Sequence, residues 1–264
     1  VNAPVTPSLV EPELLMLAYR SGIFPMSDAR DDPDLFWVEP RLRAVLPLDG
    51  FHLSSSLART LRRGRFIVTC DQAFSQVMEA CAAPREDGEG SWISHRIQAS
   101  YEALHALGHA HSIECWQADD AGEHALVGGL YGVGFDRVFC GESMFSRRPD
   151  ASKVAMAWLV AALRLAGAEL LDCQFITPHL ASLGAVEIEQ ERYLTLLAQA
   201  QASGSAGSSS GVGVAAGAVE ADGAGRGEAL ALPEAFGALL DDAASSGLAS
   251  SPGKLIAQAL SQTS

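Results

Sequence analysis

The chain has 264 residues, 48% of them apolar, and a formal net charge of −14 at neutral pH. That length accommodates one large domain or two small ones with ample material for a core, and the charge argues against a general nucleic-acid coat protein, whose affinity comes from neutralising phosphates. It suits a cationic substrate better. Pro12 with Glu13 opens a first helix, acidic residues lying near its positive end, and Gly22 stops it. A proline-punctuated stretch to Pro47 follows, with short extended pieces at 35–38 and 44–46, and residues 1–50 are expected to form a small N-terminal subdomain.

From Phe51 the pattern is regular. Ser54 to Arg63 reads as a helix stopped by Gly64, 65–70 as a strand, and Asp71 as the N-cap of a helix to Ala82. Ser94 caps a helix through Leu107, with Gly108 at its end. Three strands at 111–117, 125–132 and 137–144, joined by short turns, are suited to antiparallel pairing. An apolar helix over 152–166, a buried-type strand over 169–175 and a helix near 191–201 complete residues 51–201. The expected class is α+β, with a mixed, mainly antiparallel sheet and a helix crossing over at its centre. The Gly/Ser/Ala stretch within 202–231 has too little apolar surface to stay ordered and reads as a flexible linker. Residues 232–264 hold a short helix at 253–260.

No apolar run reaches the ~20 residues of a membrane helix, and the start Val1-Asn2-Ala3-Pro4 lacks the basic and apolar regions of a secretory signal. A cytoplasmic, monomeric protein without membrane attachment is expected. The five cysteines include no C-x-x-C pair, as suits buried thiols in a reducing compartment. His105, His109 and His111 cluster, but His109 and His111 are two apart at a turn and no paired cysteine follows, so no metal site is expected. Arg59, Arg62, Arg63 and Arg65 form a basic group, preceded by Arg41 and Arg43; it is either a solvated helix face or a tRNA contact.

Two runs carry chemistry. In 138–146 strict alternation would put Phe139, Gly141, Ser143 and Phe145 on one face and Cys140, Glu142, Met144 and Ser146 on the other. A carboxylate between a thiol and a thioether needs a partner; a neighbouring arginine would supply one structurally, and a cationic ligand functionally. In 170–175 Asp172 and Gln174 alternate onto one face of an otherwise apolar strand. They are either a structural hydrogen-bonded pair or, if the two strands are neighbours, part of a site with Glu142.

Several runs, taken together and in order, resemble the leucyl/phenylalanyl-tRNA–protein transferase family. They are Tyr19-Arg20-Ser21-Gly22-Ile23-Phe24-Pro25, Trp92-Ile93-Ser94, 108–114, Gly128-Gly129-Leu130-Tyr131-Gly132-Val133, 139–146 and Asp172-Cys173-Gln174, spread over about 14–197. The resemblance implies a GNAT-like acyltransferase domain over 51–201 with no acetyl-CoA role and no cofactor. It implies transfer of Leu or Phe, with Met a further candidate, from aminoacyl-tRNA to the α-amino group of proteins beginning with Arg or Lys, which marks them for degradation in an N-degron pathway. Matching positions make Asp172 and Gln174 the catalytic pair and Glu142 their supporting carboxylate. Trp92 would stack on the terminal adenosine, with Trp37 and Tyr101 near it. Leu130, Phe139, Gly141, Met144, Ser146, Leu159 and Leu171 would line the pocket for the transferred side chain. The family often has Met or an aromatic where Leu130 and Leu159 stand, which leaves the Leu-to-Phe preference open.

An aminoacyl ester is already activated, so orientation and proton handling are what the site must supply. In this reading Asp172 fixes the amide of Gln174, whose oxygen accepts from the attacking amine. Three rivals are weighed against it. An acyl-CoA enzyme lacks its phosphate-cradling loop here, because 128–132 sits inside a strand pattern. A leucyl transferase acting on N-terminal Asp or Glu would want a cation in place of Glu142. A non-catalytic module binding tRNA or protein N-termini has no need of Asp172, Gln174 and Glu142 together.

Overall fold

The computed structural model describes residues 9–84, 91–118, 122–207 and 228–261. The chain order is α1 (Pro12–Arg20), β1 (Phe24–Met26), β2 (Phe36–Val38), β3 (Leu42–Val45), α2 (Ser55–Arg62), β4 (Ile67–Cys70), α3 (Phe74–Ala82) and α4 (His95–Ala106). Then come β5 (Ala110–Ala118), β6 (His124–Phe135), β7 (Val138–Ser146), α5 (Ala151–Leu165), β8 (Leu170–Gln174), α6 (Pro178–Ser182), β9 (Val186–Glu189), α7 (Gln190–Gly207), α8 (Leu232–Ser245) and α9 (Gly253–Ser261). β1 and β2 form a separate antiparallel pair, and the other strands make one sheet in the order β4-β5-β6-β7-β8-β3-β9. The α+β class and the mainly antiparallel sheet are as expected.

Among the described residues parallel pairing occurs only between β7 and β8, because α5 carries the chain across the sheet between them. Twelve of the 15 residues of α5 are buried, so this helix is the axis of one core. That core holds Leu57 and Leu61 of α2, Leu130, Phe139 and Leu171 of the sheet, and Phe236 and Ile256 of the C-terminal helices. The opposite face of the sheet packs on Tyr19 of α1, Val77 of α3, Tyr101 of α4 and Tyr193 of α7. The sheet is thus covered on both faces, and each face needs a layer of amphipathic helices.

Three local expectations change. β3, from the stretch read as N-terminal, is inserted between β8 and β9 of the main sheet. Asp71 is not an N-cap: its backbone is left-handed at φ 57°, Ala73 occupies the N-cap position of α3 without a side-chain bond, and the Asp71 carboxylate accepts from the Ser112 backbone N–H at 2.8 Å and lies 2.7 Å from His111 Nδ1. The region after 228 carries two helices, the second at the expected place. The first presents Leu232, Phe236 and Leu239 to the α5 core, with the Phe236 ring 5.0 Å from that of Trp158. Of the linker, 202–207 continue α7, and 208–227 lie outside the described residues.

Candidate active site

β7 and β8 pair only at Val138 with Leu170, Phe139 with Leu171 and Cys140 with Asp172, and then diverge. Two backbone features drive them apart. β6 pairs Tyr131 with Ser143 but its next residue, Gly132, with Gly141, so Glu142 is the extra residue of a β-bulge. On β8, Gln174 takes a left-handed φ of 60°, a conformation unfavourable for a residue with a Cβ. The gap between the diverging strands is a cavity of about 470 Å³, within the size range of small-molecule sites.

The bulge overturns the strict alternation expected of β7. Phe139 and Met144 pack toward the α5 core, and Cys140 and Phe145 toward the opposite one. One inserted residue advances the side-chain phase by one, so Glu142 is not flanked by Cys140 and Met144 on a common face.

Of the residues singled out in the sequence, Trp92, Leu130, Gly141 and Glu142 line the cavity, together with Met144, Ser146, Leu159 and Gln174. Phe139, Leu171 and Asp172 are buried beside it rather than on its wall. Trp37 stands off it, 40% exposed on β2, and Tyr101 is wholly buried behind Glu142. Arg59, Arg62, Arg63 and Arg65 are exposed on and after α2, away from the lining. Trp92 is held by a latch from the N-terminal segment. Its carbonyl accepts from Ser27 N–H at 3.2 Å, and the Ser27 hydroxyl donates to Ser94 Oγ at 3.0 Å, the residue whose side chain caps α4.

Glu142 is buried and takes three neutral donors. Tyr19 Oη donates to Oε1 at 2.7 Å, Gln174 Nε2 to Oε1 at 2.8 Å and Tyr101 Oη to Oε2 at 3.1 Å; the two tyrosine hydroxyl oxygens also lie against each other. Burial pushes the Glu142 carboxyl up to about 7, against the pull of these hydrogen bonds and with a further push from the Asp172 charge.

Asp172 has a cation of its own. Arg43, with a side chain 2% exposed, donates from Nε to Oδ1 at 2.9 Å and from Nη2 to Oδ2 at 2.6 Å. Tyr193 Oη adds a bond to Oδ2 at 3.0 Å. The guanidinium is sandwiched by the rings of Phe24 and Tyr193, at 4.8 and 4.4 Å. Burial works against the Arg43 charge, but Asp172 outweighs it and pushes its pKa up. The Oδ1 atom of Asp172 accepts the backbone N–H of Gln174 at 2.8 Å. Asp172 therefore holds the backbone of Gln174, while Glu142 holds its side-chain amide, a division the sequence reading did not foresee.

Sequence reasoning missed Tyr19, Arg43 and Tyr193 as supports and Met26 as a cavity wall. Arg43 did leave a signal: a cation directly before the apolar run Ala44-Val45-Leu46 calls for a buried counter-charge. The arginine anticipated beside Glu142 is given to Asp172 instead.

The profile of the family described as leucyl/phenylalanyl-tRNA protein transferase matches residues 45–198. That of its N-terminal domain matches residues 10–41. A leucyl/phenylalanyl-tRNA–protein transferase of Novosphingobium aromaticivorans is 62% identical over 98% of this chain and 99% of its own length. Proteins of the same name from Zymomonas mobilis and Rhizorhabdus wittichii are each 55% identical over 72% and 71% of this chain, and 69% and 74% of their own lengths. Fold, cavity and likeness together define an aminoacyltransferase. The chain belongs to the leucyl/phenylalanyl-tRNA–protein transferase family. Among the described residues no helix is long and apolar enough to cross a membrane.

Proposed function

We propose that this cavity receives the leucyl or phenylalanyl group of an aminoacyl-tRNA and passes it to the α-amine of a protein whose first residue is Arg or Lys, marking that protein for degradation in the cytosol. The observation that carries the reading is the wall composition. An apolar side formed by Leu130, Met144, Met156 and Leu159 faces a polar side where Glu142 holds Gln174. The apolar side suits a Leu or Phe side chain, and Trp92 at the latch offers a face for the terminal adenine, where base stacking is worth about 1–3 kcal/mol.

The chemistry needs no cofactor. The neutral amine attacks the ester carbonyl, a C–N bond forms, the bond to the ribose oxygen breaks, and the proton lost from nitrogen ends on that oxygen. With Nε2 of Gln174 committed to Glu142, its Oε1 remains to accept from the amine and hold it in line. The α-amine's reference pKa of about 7.7–8.0 leaves a useful neutral fraction. A carboxylate at this wall also favours an acceptor with a cationic first side chain over an acidic one.

The deciding assay mixes the protein with labelled Leu-tRNA or Phe-tRNA and two acceptors differing only in an N-terminal Arg or Asp. Label is expected on the Arg acceptor. Label on the Asp acceptor alone would move the reading to the acidic-acceptor rival, and label on neither would reject it.

A further inference from the structure

Two ionisable side chains, Glu142 and His179, line the cavity. His179 is the second residue of α6, and its Nε2 is buried and faces no hydrogen-bond partner. A buried imidazole nitrogen without a partner costs free energy unless a ligand satisfies it. Burial first, and then the ammonium of Lys153, lower the pKa of the His179 imidazole. Lys153 lies in the first turn of α5, next to Ser152 of the cavity wall.

We propose that His179, with Lys153 behind it, receives the phosphate that joins the terminal adenosine to the rest of the aminoacyl-tRNA. This rests on the reading above and assigns a direction to the substrate. A cationic acceptor amine belongs beside the Glu142 carboxylate, and the same cation would be repelled by Lys153. An anionic oxygen at His179 gains a donor from Nε2 and the field of the ammonium. α2, which packs against α5, also carries basic residues. Thr60 of α2 donates to Asp150, the residue before α5, at 3.1 Å. That contact seats α2, with its exposed Arg59 and Arg62, beside the helix that carries Lys153. Asp150 is itself acidic, and its Oδ2 is the atom that accepts from Thr60. The ribose and adenine then lie between His179 and Trp92, with the ester carbonyl turned toward Gln174.

The experiment compares two small donors, 3′-O-leucyl-adenosine with and without a 5′-phosphate, in transfer to an acceptor with N-terminal Arg. The wild type is expected to show a lower KM for the phosphorylated donor by roughly tenfold, as loss of a hydrogen bond to a charged group implies. That ratio should collapse toward one in His179→Ala and, as a second variant at a half-buried site, in Lys153→Met, while His179→Lys should restore part of it. Equal KM values for the two donors in the wild type would overturn the assignment. So would a ratio that survives both substitutions, because the preference would then come from elsewhere. Transfer from neither donor nor from Leu-tRNA by the wild type would instead remove the reading on which this one rests.

Discussion

Asp172 and Glu142 are buried carboxylates on neighbouring strands, yet their surroundings follow opposite designs. Asp172 is clamped by a guanidinium stacked between two rings and by Tyr193. Glu142 receives only uncharged donors, two phenols and a carboxamide. A dedicated counter-ion fixes geometry and charge together, whereas neutral donors fix geometry and leave the charge adjustable. The contrast teaches that the Asp172 end is scaffold for the backbone of Gln174, and the Glu142 end is where the cavity meets a titratable group.

The largest effect that would sharpen this contrast is Arg43→Met. Removing one partner of a buried ion pair leaves the other unpaired and costs about 3–5 kcal/mol. The loss is expected in urea unfolding as a lower midpoint at constant slope, and a change under ~1 kcal/mol would show that Asp172 does not depend on Arg43. Gln174→Gly separates scaffold from chemistry. The left-handed φ of 60° is easier for glycine, so stability should shift by no more than ~1 kcal/mol while transfer falls by about 100-fold or more. Transfer within threefold of wild type would remove Gln174 from the proposed role.

Next in size is the pH response of Glu142. Its carboxyl moves from an ordinary 4.5 in the unfolded chain to about 7 in the fold. The folded state therefore binds the proton more tightly, and the contribution of this group to stability falls as pH rises from about 4.5 to about 7. The total is roughly 3 kcal/mol. The difference in unfolding free energy between wild type and Glu142→Gln should decline across that window and be flat outside it. A flat difference throughout would mean that Glu142 is not held as described. A smaller effect is expected at Gly132, where an added Cβ would lie 2.3 Å from the Cys140 carbonyl oxygen and 2.5 Å from the Phe139 ring. Gly132→Ala should cost about 1–3 kcal/mol by forcing β6 from β7 beside the bulge; a neutral result would show the bulge to be pliable.

The contrast between the two carboxylates is also the boundary of what could be read from the sequence. α5 and the β5–β7 meander were legible because each repeats one period over many residues, as the expected 152–166 against the observed Ala151–Leu165 shows. Asp172, Gln174 and Glu142 stood out as polar residues in apolar strands. The bulge at Glu142 was not legible, since one extra residue leaves the composition unchanged while reversing which side chains share a face. Nor was the pairing of Arg43 with Asp172, which joins positions 129 apart in sequence; periodicity is local, and such contacts exist only once β3 enters the sheet beside β8. α8 is a different case. Leu232, Phe236, Leu239 and Ala243 repeat at helical spacing, a signal overlooked beside the Gly/Ser/Ala stretch before it.

The smallest expected effect concerns a region built from neither design. Arg62 and Arg63 are exposed and oppose no carboxylate in the site, so reversing both charges, Arg62→Glu with Arg63→Glu, should leave the unfolding midpoint nearly unchanged. What should change is the KM for aminoacyl-tRNA, upward by several-fold at low salt and less so at high salt, because a phosphate contact acts through counter-ion release. For the small leucyl-adenosine donor, which does not reach α2, the same variant should show no change in KM. An equal rise for both donors would mean that the charges act through the cavity. No rise for either would return this cluster to a solvated helix face and leave the acidic chain to hold tRNA by other groups.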